Sequence, residues 1–270
     1  MLGAGFASFA CTGETPELSS PVDASADAVG NDAGSVNDAS GTDAGSDTGP
    51  GTFCSTKTGV AWCEDFDSPM PDIAPVSNYP DLPLGKLVTN NFVTAPRSFR
   101  LEMAAGRAPV QSTNLPKAFP NVSKLRLELD LRIAAADPSK EYQATQLIIL
   151  KRGDAEAQLA RLCAPTDAST PDCSYVVTTC VAGINCVNRP LTTVKALKDW
   201  SRITFEASFA TDGHVYFAQE GAVDVDAPVN LAPTVGTTEP LQVYLGIVLF
   251  AGQSTYTDVY FDSVVVETTP

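Results

Sequence analysis

From about residue 86 to the end of the chain, apolar and polar residues alternate with a period of two. The clearest run is Lys124 to Ile133. Leu125, Leu127, Leu129, Leu131 and Ile133 take one side, and Lys124, Arg126, Glu128, Asp130 and Arg132 the other. Such a run is a strand with one buried and one wet face. Ile203, Phe205, Ala207 and Phe209 repeat the pattern, and Asp212-Gly213 then separates them from Val215-Tyr216-Phe217, the signature of a hairpin. Further strands are predicted near 87–94, 98–104, 144–152, 156–163, 174–180, 191–196, 241–250 and 256–267. No long segment has a 3.6-residue period, and the one helical candidate is a turn near Lys195 to Trp200. Many short antiparallel strands without helices predict an all-β, two-sheet antiparallel sandwich. The longest apolar run, Leu241 to Ala251, contains Gln242 and falls short of the ~18 residues of a membrane span.

The pattern is absent before residue 53. Residues 12–52 contain no Lys, Arg or aromatic residue, and their only large aliphatics are Leu18, Val22, Val29 and Val36. Asp23, Asp27, Asp32, Asp38, Asp43 and Asp47 recur through Ala, Ser and Gly. So little apolar surface cannot offset chain entropy, and a disordered linker is expected. Before it, Met1 to Ala10 is small and apolar, like the end of a signal peptide lacking its charged start. Ser8-Phe9-Ala10-Cys11 resembles a bacterial lipobox, with Ser8 where an aliphatic is usual. The expected organisation is a signal-peptide remnant at 1–10, a lipidation cysteine, Cys11, with an acidic linker at 11–53, and a β-sandwich at 54–270. The membrane is then a partner through lipidated Cys11, and the address is the outer membrane, cell surface or periplasm.

Charge and cysteines sharpen this picture. The net charge is −15, of which Glu14, Glu17 and the six linker aspartates supply −8, leaving −7 for the rest. A mildly acidic domain excludes nucleic acid as a main partner, since that needs clustered Lys and Arg. Setting Cys11 aside leaves six cysteines, an even number that fits an exported disulfide framework. Six cysteines allow about fifteen pairings and the sequence does not choose among them; the simplest is local, Cys54–Cys63, Cys163–Cys173 and Cys180–Cys186, each worth roughly 2–3 kcal/mol as a short closed loop. With no CxxC pair and a single histidine, His214, a Cys/His zinc site is not expected.

Trp200-Ser-Arg-Ile203-Thr-Phe205, then Asp212-Gly213-His-Val215-Tyr-Phe217 and Gly221, is similar to the hairpin of concanavalin A-like, laminin-G-like jelly rolls. Glu64-Asp65-Phe66-Asp67 resembles the first strand of such domains, and Tyr260 to Val266 the last. The layout also resembles surface lipoproteins of myxobacteria with Asp-Ala-rich spacers. The resemblance implies a jelly-roll architecture and leaves activity open.

Two acidic clusters carry candidate chemistry. Glu128 and Asp130, at i and i+2, share a strand face about 7 Å apart, within the range of carboxylate pairs in glycoside hydrolysis. Jelly-roll glucanases carry a third acid after such a pair, and here Arg132-Ile133 stands in its place. Cross-strand ion pairing on a wet face is the competing reading. Related carbohydrate-binding modules hold a structural calcium between first and last strands. Asp67 and Asp262, joined by Glu64, Asp65 and Asp258, are the candidate ligands for a hard cation wanting six to eight oxygens. The expected function is a surface module that binds carbohydrate or another extracellular ligand without catalysis. The alternatives are a glycoside hydrolase or polysaccharide lyase of the same fold, and a structural or adhesive envelope protein.

Overall fold

A computed structural model describes residues 52–67, 76–77, 85–103, 110–136, 143–164, 172–192, 197, 199–250 and 257–270. Cys11 and the linker readings lie outside the described residues. One short helix, α1 (Thr52–Ser55), precedes the strands. These are β1 (Trp62–Glu64), β2 (Val76–Ser77), β3 (Lys86–Val88), β4 (Ser98–Met103), β5 (Val110–Phe119), β6 (Lys124–Ala136), β7 (Gln143–Arg152) and β8 (Ala155–Ala164). They continue as β9 (Asp172–Val181), β10 (Val187–Leu191), β11 (Ser201–Ser208), β12 (Gly213–Gln219), β13 (Ala222–Val229), β14 (Leu241–Phe250) and β15 (Thr257–Thr269).

The strands form two antiparallel sheets. The first runs β13-β12-β11-β6-β15-β4-β3, and the second β10-β9-β8-β7-β14-β5-β2. In the first sheet β15 has β6 along one side. On its other side β4 pairs with Thr257–Phe261 and β1 with Val264–Val266. First and last strands therefore meet, as the jelly-roll resemblance implies. The core lies between the sheets. Leu125, Leu127, Leu129, Leu131 and Ile133 of β6 face Leu150, Ala157, Leu159, Val243 and Leu245 of the second sheet within one buried cluster. Phe66 crosses from β1 to the core with a φ of 58° and lies 5.4 Å from Phe99.

Several elements depart from the alternation. The run predicted at 87–94 is strand only through Val88. Residues beyond it form a loop held by side chains of β15 and β6. The run near 191–196 is replaced by β10, which ends at Leu191. β5 and β13 are additional strands, each containing a proline that argues against a strand. Pro116 lies on β5 beyond Thr113 and Asn114, the residues that pair with β2 among the described ones. Pro228 lies on β13, the edge of the first sheet. The turn near 195–200 falls mostly outside the described residues.

Candidate functional site

The outer face of the first sheet carries most of the acids singled out in the sequence, each with a partner. Arg202 of β11 donates from Nη1 to Asp130 Oδ2 at 3.1 Å and from Nη2 to Glu128 Oε2 at 3.3 Å. Arg126 holds the other Glu128 oxygen at 2.7 Å. Burial pushes Glu128 upward, but the two guanidiniums outweigh it and hold the carboxyl below its usual range. Burial wins at Asp130, which is raised despite Arg202. Opposed shifts in neighbouring acids resemble an acid/base pair. A guanidinium, however, bridges the two carboxylates where a sugar oxygen or water would need to enter. Cross-strand pairing accounts for both.

The terminal acids are engaged mainly in shaping backbone. Glu64 Oε1 accepts the Phe66 N–H at 2.9 Å, which supports the left-handed turn at Phe66. Asp65 accepts from Cys54 N at 3.2 Å and from Asp67 N at 3.3 Å, and Asp67 itself is buried. Asp258 receives Arg100 through both oxygens, at 2.9 and 2.7 Å. Asp262 is fully buried. Its Oδ2 accepts the N–H groups of Val93 and Thr94, and its Oδ1 those of Ser263 N–H and Thr94 O–H, all at 2.7–2.9 Å. Burial nevertheless pushes its carboxyl up to about 6. Among the described residues no group of three or more His, Cys, Asp or Glu stands close enough to hold a metal. His214 pairs with Asp226 Oδ1 at 2.6 Å on the same sheet.

Two disulfides match the local pairing. Cys54–Cys63 ties α1 to β1, and Cys180–Cys186 closes the turn between β9 and β10. Cys163 and Cys173 are direct cross-strand partners in the β8–β9 ladder, and their side chains lie outside the described residues.

The outer face of the second sheet holds an arrangement that the sequence reading missed. Ala157 and Leu159 of β8 enter the core, so Glu156 and Gln158 point the opposite way. Gln146 of β7 joins them, because the ladder is bulged between Gln146 and Ile148 and Leu147 is accommodated as an extra core residue. Gln146 Nε2 donates to Gln158 Oε1, and Gln158 Nε2 donates to Glu156 Oε1. Gln146 and Gln158 are only 7% and 4% exposed, although they are on the side away from the core. Ala160 and Val176 beside them are buried too, yet belong to no core cluster.

Polar groups extend this line across the sheet. The register Asn188, Thr178, Gln158, Ile149, Tyr244, Pro116 crosses six strands on one face. Thr178 Oγ1 donates to Asn188 Oδ1 at 2.7 Å, and the Tyr244 hydroxyl donates to Gln242 Oε1. Burial, and then Glu239, raise the Tyr244 phenol, and burial raises Glu156 against the field of Lys151. The available signal was a set of long amides at outward strand positions (Gln146, Gln158 and Gln242), where shorter or β-branched polar residues are more usual.

No family model matches the chain, and no curated protein matches it. Solved structures do. An endo-β-1,4-glucuronan lyase from the fungus Trichoderma reesei aligns with a TM-score of 0.52 and 15% identity, over 78% of this chain and 96% of the lyase. A cellulose-induced protein, Cip1, aligns at 0.45 and 10% identity, over 73% of this chain and 92% of its own. The alginate lyase Aly36B aligns at 0.41 and 10%, over 72% and 96%. At these identities the likeness is one of fold, and the glucuronan lyase alignment places the chain among two-sheet β-sandwiches of the jelly-roll type.

Proposed function

We propose that the protein is an exported carbohydrate-binding module that takes its glycan on the outer face of the second sheet, without catalysis. The observation that carries this reading is the buried relay Gln146–Gln158–Glu156 on a face turned away from the core. Burying amides costs free energy unless their hydrogen bonds are made, and the relay makes them while holding each amide in one orientation. Oriented amides beside an aromatic hydroxyl are the means by which sugar hydroxyls are recognised, because each amide offers donors and an acceptor together. Likeness to the glucuronan lyase supports a polysaccharide-related role by analogy of fold.

Binding is favoured over bond cleavage by the chemistry present. Tyr244 is shifted away from the phenolate that an eliminating base needs, and the single histidine is on the other sheet with Asp226. Glu128 and Asp130 act in this reading as architectural partners of Arg202. Export is supported by the disulfides. In the same proposal Cys11 carries a lipid anchor to the outer membrane or cell surface.

A glycan-array screen of the full chain, with calcium and with chelator, tests the proposal. The expected result is selective binding of at least one polysaccharide class and no released reducing ends or unsaturated products. Silence on every glycan under both conditions removes the binding reading, and product release replaces it with an enzyme.

A further inference from the structure

We propose that the ligand of this face is a neutral oligosaccharide rather than a polyuronate. The inference rests on the reading of the face as a glycan site and goes on to name the sugar class. Its basis is the distribution of charge by strand parity. The described outward side chains that reach across the sheet are amides and hydroxyls: Gln146, Gln158, Gln242, Tyr244, Thr178 and Asn188. Beside the relay the charged residues Lys151 and Glu156 are direct cross-strand partners. The pair cancels locally.

The sheet's arginines are at the alternate positions. Arg152 shares the parity of Leu150, Arg161 that of Leu159, and Arg189 is the register partner of Val177. Arg152 Nη2 donates to Thr237 O at 2.9 Å and Arg189 Nη1 to Thr179 Oγ1 at 3.0 Å. The groups able to clamp carboxylates are thus turned off the face that carries the amides. A polyuronate brings one carboxylate per sugar. Desolvating each without a cation costs several kcal/mol, and a chain of net charge −15 adds long-range repulsion. A neutral sugar brings only hydroxyls, which both donate and accept. An ionised Glu156 can accept but not donate, which fixes the Gln158 amide with its nitrogen toward Glu156 and its oxygen toward Gln146. The relay therefore gives the two amides one set orientation.

Calorimetry on the full chain with neutral hexasaccharides (cello-, xylo- and manno-) and with glucuronan and alginate hexamers, at low and high salt, tests this. A neutral ligand should bind at least about tenfold more tightly than either uronate, with affinity constant within about twofold across salt. Gln242→Ala should weaken that binding about tenfold without changing Tm. If that variant does not fold, Tyr244→Phe removes only the hydroxyl donor and should weaken binding in the same direction. Tighter uronate binding, or an affinity that falls severalfold with salt, overturns the neutral-sugar inference while the glycan reading stands. No heat with any of the five ligands overturns both.

Discussion

Asp262 shows how one side chain can be both a latch and a titrating group. Four donors converge on its two oxygens, and they come from the loop after β3 and from Ser263. Those bonds favour the carboxylate, yet burial is larger and lifts the group to about 6. The consequence for stability has a definite sign. A carboxyl raised in the folded state binds its proton more tightly there than in the unfolded chain. Its stabilising contribution is complete below the unfolded value near 4 and is lost as pH rises through about 6. A rise of this size corresponds to roughly 3 kcal/mol. Asp262→Asn removes the titration and turns an amide N–H₂ toward one pair of donors, so it should lower Tm at every pH. The gap between wild type and variant should widen from pH 7 to pH 5. A carboxyl carbon of Asp262 titrating near 4, or a gap that narrows on acidification, would defeat this account.

At the level of elements, the disulfides fasten the least regular parts of the sandwich. Cys54–Cys63 holds the four-residue α1 against β1, a strand of three residues. Cys180–Cys186 closes a turn in which Ala182 and Gly183 both have positive φ. With Cys163 opposite Cys173 in register, three crosslinks are expected. Thiol counting on unfolded, unreduced protein should find none in the lipidated chain and Cys11 alone in a chain produced without the lipid. Two more reactive thiols would break the third pair. Each short loop should contribute roughly 2–3 kcal/mol, read as a drop in Tm on reduction. Two of these pairs were reachable from sequence only as the simplest, local choice among many pairings, and β6 and β11 were legible because each buries one face and wets the other. β5 was hidden by Pro116, because a proline inside an alternating run argues against a strand. The Gln146–Gln158–Glu156 relay was hidden for a different reason. Outward polar residues of a strand look solvated in sequence, and only tertiary structure shows that Gln146 and Gln158 are buried. For Glu128 and Asp130 the spacing gave the shared face correctly, but it could not show that Arg202 of a neighbouring strand lies between them.

Taken as a whole, the molecule has two faces with different duties. Its N-terminal arm joins the first sheet on the outer side. The Phe53 ring stacks 5.8 Å from the Arg202 guanidinium, and Asp65 caps the Cys54 N–H. The amide-bearing face belongs to the other sheet and points the opposite way across the core. A chain entering at residue 52 therefore approaches from behind the proposed binding face. In the proposal, an anchor at Cys11 therefore leaves that face turned outward. Immobilising the chain, produced without the lipid, through a maleimide on Cys11 should preserve glycan affinity measured by surface plasmon resonance. Blocking Cys11 and immobilising through Asn114→Cys, on the outward side of β5 opposite Gly246, should abolish it. Equal binding in both orientations would mean that the glycan sits elsewhere. Loss of binding on Cys11 tethering would mean that the ligand face lies on the anchored side, over the arginine-bridged acids of the first sheet.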